Sequence, residues 1–219
     1  MQASNFQLLI YAIPALVLAI SLHEMMHSVA GYWLGDDTAR LHGRLSLNPL
    51  KHIDPLTTIA LPLILVLAGL PPFAAAKPVP INTSRLKFEE FGMALVGLAG
   101  PLTNLLLAII FIIVLKLIDP SGASYLGQSQ IMVGGSYLIG FLGYSVLINI
   151  GLFVFNMIPF PPLDGSRVLY ALAPEFLQNI MMQIERMGFT AILLFMFIAF
   201  PVISPLIMGA QQMLIRLLV

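Results

Sequence analysis

Five long stretches of this chain contain no charged residue. They occupy residues 6–22, 55–76, 91–115, 120–163 and 187–215. A helix needs about 20 mostly apolar residues to cross a bilayer, so stretches of this length predict membrane-spanning helices. Because 59% of the residues are hydrophobic and only 9% are charged, the composition excludes most soluble folds. The sequence therefore predicts an all-α polytopic membrane protein with about four to six transmembrane helices, embedded in the lipid bilayer.

The charge balance and the lack of cysteine exclude several classes of function. Ten Lys and Arg residues balance ten Asp and Glu residues, so there is no basic excess that would hold a nucleic acid. The chain has no cysteine, which excludes a disulfide framework, a thiolate nucleophile and a cysteine-ligated zinc site. A bound metal would therefore need nitrogen and oxygen ligands.

The organisation of the chain predicts one membrane-embedded domain over residues 1–219, with no removed signal peptide and no internal repeat. We expect the catalytic core at about residues 6–187 and one or two C-terminal helices over 188–219. Residues 187–215 either cross once, kinked at Pro201 and Pro205, or fold back as two half-helices. The mixed polarity of residues 164–186 predicts a helix on the membrane surface or a short, partly buried one.

The first apolar stretch runs into the motif His23-Glu24-Met25-Met26-His27. Residues four apart share one face of a helix, so this spacing points two imidazoles at one metal ion. Glu24 follows the first histidine, where its carboxylate can act as general base on a water at the metal. The alternative is that these residues are polar side chains at a helix end that reach to the membrane interface.

A catalytic zinc site commonly has three protein ligands, so two histidines leave one ligand to be found. Asp164 is the candidate, because it ends the uncharged stretch 120–163 and is followed by Gly165. The preceding segment contains three prolines, which interrupt a helix at membrane depth; such backbone is tolerated where it is buried in protein or faces a wet cavity. The alternative is an interfacial proline-rich loop with a turn at Asp-Gly.

Three stretches of this chain resemble the site-2 proteases, a family of intramembrane zinc metalloproteases. The stretches are His23 to His27, Gly97-Leu-Ala-Gly-Pro-Leu-Thr-Asn104, and Asn156-Met-Ile-Pro-Phe-Pro-Pro-Leu-Asp-Gly165. The loop segments 43–55 and 76–80 resemble the compact prokaryotic branch, which has no PDZ or CBS domain.

The resemblance implies a set of roles for the matched residues. His23, His27 and Asp164 would bind one Zn²⁺ ion, and Glu24 would be the catalytic carboxylate. Asn156 would lie near the active site and help bind substrate or polarise the scissile carbonyl. Asn104 is a second candidate for substrate binding, or for orienting a histidine ligand.

A shared metal site limits the topology. His23 lies near the C-terminal end of the first span, and Asp164 lies just past the C-terminal end of the apolar span within residues 120–163. If both bind one metal, these two ends are on the same side of the membrane, so both spans must run in the same direction. One of the two intervening apolar stretches, 55–76 and 91–115, must therefore not cross. Residues 55–76 contain Pro62 and end near two further prolines, so we predict that this stretch is re-entrant.

The positive charges then predict the orientation in the membrane. Most Lys and Arg residues fall on the exit side of the first span, so the positive-inside rule makes this side cytoplasmic. We expect a multi-pass protein of a prokaryotic plasma membrane, with its active site in the membrane towards the cytoplasm.

The resulting prediction is a protease that hydrolyses a peptide bond within or next to a transmembrane segment of a membrane protein. An extended segment near residues 44–50 or 79–82 would offer an edge strand that holds the unwound substrate. The alternatives are a zinc or cation transporter and a catalytically silent binding partner of membrane proteins. The sequence leaves open whether a regulatory membrane partner or a homo-oligomer is involved.

Overall fold

The computed structural model describes residues 3–60, 63–64, 76–120 and 137–218. All regular structure in these ranges is helical, and four helices are long and apolar enough to cross a membrane. The α-helices are α1 (Ala3–Trp33), α2 (Thr38–Leu41), α3 (Glu89–Ile118), α4 (Tyr137–Asn156), α5 (Gly165–Leu172), α6 (Glu175–Arg186), α7 (Phe189–Leu194) and α8 (Phe200–Leu218). The membrane-spanning candidates are α1, α3, α4 and α8. The predicted all-α polytopic architecture is confirmed.

Helix α3 is central, because it packs against α1, α4 and α5. The residues buried in this contact recur every three or four positions on both helices, so one face of α3 packs against one face of α4. The buried residues of this cluster are Ala108, Ile112 and Leu115 of α3, Leu142, Val146 and Ile150 of α4, and Ile215 of α8. This contact holds together the two helices that follow the first span.

The segment between α1 and α3 begins and ends on the same side of the helices. The backbone N–H of Lys87 donates to the Leu34 carbonyl over 2.7 Å, so the end of α1 adjoins the start of α3. Within this segment, the N–H of Lys77 donates to the His52 carbonyl over 3.0 Å. A single membrane crossing would separate His52 from Lys77 by about 30 Å, so the chain between them must return to the side on which it started.

This geometry agrees with the prediction that residues 55–76 do not cross the membrane. Pro55–Ala60 form a π-helical turn, whereas residues 61–62 and 65–75 lie outside the described residues. The path of the predicted re-entrant segment itself therefore stays a prediction.

The C-terminal helices cross once. A π-helical turn at Phe195–Ala199 joins α7 to α8, and the rings of Phe195 and Phe160 stack with centroids 4.6 Å apart near the end of α4. At the opposite end, Lys116 Nζ of α3 donates to the Leu218 carbonyl over 3.2 Å. Of the two paths considered for residues 187–215, the structure has the single crossing.

Two short helices, α5 and α6, follow Asp164, whereas the mixed polarity of residues 164–186 predicts a single helix; Pro174 lies between them and is the N-cap residue of α6. Arg167 of α5 forms a two-pronged ion pair with Glu185 of α6, at 2.9 and 2.5 Å. Met181 is the buried residue of α6. Neither predicted edge segment is a paired strand in the described ranges: residues 44–50 contain bends and a 3-10 turn, and residues 79–82 have no regular structure.

Candidate metal centre

Helix α1 presents His23 and His27 on one face, one helical turn apart. Both side chains are buried, and their Nε2 atoms lie 3.1 Å from each other. The rings meet edge to face with centroids 4.7 Å apart. The spacing in the sequence therefore brings both imidazoles to one point, as predicted.

The loop after α4 adds a carboxylate to this point. Asp164 Oδ2 lies 3.0 Å from His23 Nε2, and Asp164 Oδ1 lies 3.4 Å from His27 Nε2. Two ligands that each bind zinc at about 2.0–2.1 Å in a tetrahedral arrangement are about 3.3 Å apart. The three residues form the one group of metal-ligating side chains within the described ranges, and its spacing fits a zinc ion.

Hydrogen bonds on the far side of each ring leave both Nε2 atoms free to bind a metal. His23 Nδ1 lies 2.5 Å from Asn104 Oδ1, and His27 Nδ1 lies 2.7 Å from the Val96 carbonyl oxygen. Both partners are acceptors, so each Nδ1 carries the proton and each Nε2 has a lone pair. Two lone pairs 3.1 Å apart repel each other unless a cation lies between them. The donor set therefore suits a bound cation.

The charge of Asp164 completes this donor set. In its ionised form Asp164 is an anionic oxygen ligand beside two neutral nitrogen ligands, a combination typical of catalytic zinc sites.

Glycine residues give the neighbouring helices room to approach the histidines. A Cβ atom at Gly100 of α3 would lie 2.5 Å from His27 Nε2 and 2.6 Å from His23 Nε2. A Cβ atom at Gly165 would lie 2.4 Å from the Met157 carbonyl oxygen, in the turn that positions Asp164. Any side chain at Gly100 would therefore enter the space between the ligands, which explains why the motif of residues 97–104 needs glycine there.

Glu24 lies beside the ligand cluster without belonging to it. At 100° per residue, its direction on α1 is about 60° from that of His27. The side chain is partly exposed, whereas both histidines are buried. This position suits a carboxylate that acts on a molecule at the metal rather than on the metal itself.

The two predicted asparagines make different contacts in the structure. Asn104 is fully buried and contacts His23, as expected for a residue that orients a ligand. Asn156 instead donates its side-chain N–H to the Leu152 carbonyl over 3.0 Å. Asn149 of α4 was not among the predicted site residues, although it accepts a hydrogen bond from Asn104 over 2.8 Å. Its signal in the sequence is an amide in an apolar helix, seven residues before Asn156.

The two remaining histidines do not join the cluster. His42 is exposed and its Nδ1 lies 2.8 Å from the Thr38 carbonyl oxygen. His52 is buried, and its Nε2 lies 2.7 Å from the Ser46 carbonyl oxygen. In the described structure both histidines belong to the segment between α1 and α3 and contact backbone carbonyls there.

Comparison with known proteins gives one matching family and several relatives. The model of Peptidase family M50 matches residues 121–200. A protein of Bacillus subtilis, YwhC, is 37% identical over 183 residues, which are 84% of this chain and 78% of the relative. MJ0611 of Methanocaldococcus jannaschii is 32% identical over 167 residues, covering 75% of this chain and 73% of the relative.

A third relative is longer than this chain. Rip2 of Mycolicibacterium smegmatis is 30% identical over 164 residues, covering 73% of this chain but 56% of the relative. All three relatives bear the name "Putative zinc metalloprotease". No solved structure matches the chain.

Proposed function

Since this chain belongs to peptidase family M50, the family of the site-2 proteases, we propose that it hydrolyses a peptide bond within or next to a transmembrane segment of a substrate protein. Family membership makes the chain a zinc metalloprotease and a multi-pass membrane protein. Its substrates are membrane proteins. The position of the cut and the residues that carry the chemistry are parts of the proposal.

The proposed zinc ligands are His23, His27 and Asp164. The observation that carries this assignment is the mutual approach of their ligand atoms, at 3.0, 3.1 and 3.4 Å. The Nδ1 protons are held on the far side of both rings by Asn104 and the Val96 carbonyl. This arrangement leaves a fourth position for the reaction, as in other catalytic zinc sites.

The proposed catalytic base is Glu24. A zinc ion, when bound, lowers the pKa of coordinated water to about 7 and polarises the scissile carbonyl. Glu24 accepts a proton from the attacking water and later donates it to the leaving nitrogen. Its partly exposed side chain, next to the buried ligands, supports this role.

The distribution of cations supports an active site towards the cytoplasm. Eight of the ten Lys and Arg residues lie on the side where α1 ends, and two lie on the opposite side near the end of α3 and α8. The eight are Arg40, Arg44, Lys51, Lys77, Arg85, Lys87, Arg167 and Arg186. The positive-inside rule makes this side cytoplasmic.

The depth of the site follows from its place on α1. His23 lies ten residues before the end of α1 at Trp33, about 15 Å along the helix axis. The proposed reaction centre is therefore within the membrane, and it lies nearer the end of α1 at Trp33, on the proposed cytoplasmic side, than the start of α1 at Ala3. A helical substrate must unwind locally before its carbonyl can be attacked, because a helix holds its carbonyls in internal hydrogen bonds.

We further propose that residues 1–219 act as one domain, with residues 6–187 as its catalytic core.

The zinc content of the purified protein tests this assignment without knowledge of the natural substrate. Wild type in mild detergent should hold about one zinc ion per chain. Asp164→Ala should lose the ion, whereas Glu24→Gln should keep it. His42→Ala is the matched control, because this exposed histidine lies outside the ligand cluster.

Cleavage of a transmembrane substrate then separates binding from catalysis. Glu24→Gln should retain zinc and lose at least about 100-fold in turnover, the lower end of the range for removing a general base. Undiminished zinc in Asp164→Ala would refute the ligand set. Undiminished turnover in Glu24→Gln would refute the role of Glu24.

A further inference from the structure

A chain of hydrogen bonds leads from α4 through α3 to the first histidine ligand. We propose that Asn149 is a positioning residue, which orients the Asn104 amide and through it keeps the proton of His23 on Nδ1. The inference rests on the proposed zinc site. It concerns a buried amide on α4, 1% exposed, that contacts none of the ligands directly in the described structure.

The chain of hydrogen bonds starts at the Ser145 backbone carbonyl. Asn149 Nδ2 lies 2.8 Å from the Ser145 backbone carbonyl oxygen, which can only accept a hydrogen bond. The amide of Asn149 must therefore point its nitrogen at Ser145 and its oxygen in the opposite direction. A flipped Asn149 would place two oxygens in contact.

The fixed orientation of Asn149 in turn fixes the orientation of the Asn104 amide. Asn149 Oδ1 accepts from Asn104 Nδ2 over 2.8 Å, so the Asn104 oxygen is directed at His23 Nδ1, 2.5 Å away. The nitrogen of Asn104 has one other neighbour, the Ala19 carbonyl oxygen at 3.5 Å, which is a long hydrogen bond. Asn149 is therefore the strong contact that distinguishes the two ends of this amide.

The orientation of Asn104 decides which nitrogen of His23 can bind a metal. With its oxygen at Nδ1, the histidine carries its proton there and directs the Nε2 lone pair at Asp164 and His27. A flipped Asn104 would present an N–H group to Nδ1. The histidine proton would then move to Nε2 and point into the ligand space, where it blocks metal binding.

The two histidines differ in this respect. His27 Nδ1 donates to the Val96 backbone carbonyl over 2.7 Å, and a backbone carbonyl cannot flip. The tautomer of His27 is therefore fixed by the helix, whereas that of His23 depends on two side-chain amides. Asn149, whose own orientation is set by the Ser145 carbonyl, fixes the orientation of the Asn104 amide as firmly as a backbone contact would.

The test compares metal affinity in Asn149→Leu with that in Ser145→Ala, using full-length protein in detergent. The leucine removes the acceptor for Asn104, and we expect zinc affinity to fall 10- to 100-fold, the usual range for loss of a residue that orients a ligand. Ser145→Ala is the matched control, since its buried hydroxyl has no hydrogen-bond partner in the described structure and its carbonyl stays in place. Unchanged affinity in Asn149→Leu would overturn the proposal.

A second comparison separates orientation from general packing. Asn104→Asp replaces the amide with a carboxylate, which accepts from His23 Nδ1 in either orientation and needs no partner to orient it. We therefore expect Asn149→Leu to cost less than about 3-fold in zinc affinity in the Asn104→Asp background. An equal fold-loss in both backgrounds would mean that Asn149 acts through packing alone, and would overturn the proposal.

Two further measurements keep the result decisive. The d–d absorption of Co²⁺ substituted for zinc should change in Asn149→Leu and stay as in wild type in Asn149→Asp, whose protonated carboxyl can donate to Ser145 and accept from Asn104. If Asn149→Leu does not fold, Asn149→Ala replaces it in both comparisons. Wild-type protein that binds no zinc would refute the metal site itself, whereas zinc-loaded wild type with an indifferent Asn149→Leu would refute this inference only.

Discussion

Substituting Gly100 by alanine tests the closest approach of α3 to the proposed zinc site. The added Cβ atom would lie 2.5 Å from His27 Nε2 and 2.6 Å from His23 Nε2, whereas ordinary contacts of a Cβ are 3.4 Å or longer. Either α3 retreats from the histidines by about 0.9 Å or the imidazole rings shift by a similar distance. Metal–ligand distances tolerate a change of only about 0.2 Å.

Two effects follow from this substitution, and both weaken the binding of zinc. If α3 stays in place, the methyl group occupies part of the space between the Nε2 atoms. If α3 retreats, Asn104, which lies one helical turn further on, moves away from His23 Nδ1. We expect zinc affinity to fall by more than about 100-fold, beyond the range seen when a residue behind a ligand is removed.

The assay is the zinc content of detergent-purified protein, followed by competition with a chelator of known affinity. Gly209→Ala on α8 is the matched control, because a Cβ there meets no atom within 4 Å. Circular dichroism should show unchanged helix content in both variants, since alanine favours helix. Wild-type zinc affinity in Gly100→Ala would refute the claim that both Nε2 atoms face Gly100.

Two further predictions concern the loop region and the topology. Burial would raise the pKa of Asp36, but hydrogen bonds from Thr38 hold it below its ordinary value of 3.8, so its carboxylate stabilises the fold at neutral pH. This stabilisation is lost as the pH falls below about 4, so Asp36→Asn should lower Tm at pH 7 and flatten its decline in acid; an equally steep decline would contradict this reasoning. Because the chain has no cysteine, single cysteines at Asn48, Ser84 and Ile118 report topology cleanly. Asn48→Cys and Ser84→Cys should react with an impermeant reagent from the same side of the membrane and Ile118→Cys from the other; labelling of the first two from opposite sides would exclude a re-entrant 55–76 segment.

The membrane helices could be predicted because their signal is local. Residues 91–115 form one uninterrupted apolar stretch, and the structure has α3 at Glu89–Ile118. The single crossing of residues 187–215 could not be chosen from the sequence, because prolines at 201 and 205 are compatible with a kink or a break. Packing of Ile215 against α3 and α4 decides between them.

The asparagines show what a sequence does not place. Asn104, a candidate for orienting a histidine ligand, contacts His23, whereas Asn156, a candidate for substrate binding, donates to its own helix, and its substrate role stays a prediction. Asn149 was missed, because nothing in a single sequence shows which face of α4 meets Asn104. That contact depends on how two helices, 45 residues apart in the chain at this point, pack together.

Sequence alone determined that the chain spans a membrane and that His23 and His27 share one face, because hydrophobicity and helical period act over a few neighbouring residues. Tertiary structure decided the rest of the site. Asp164 reaches His23 across 141 residues of chain, and Gly100 lets α3 come close enough for Asn104 to hold the His23 proton. Such contacts depend on the distances and rotations between helices, which are set by the packing of side chains far apart in the sequence.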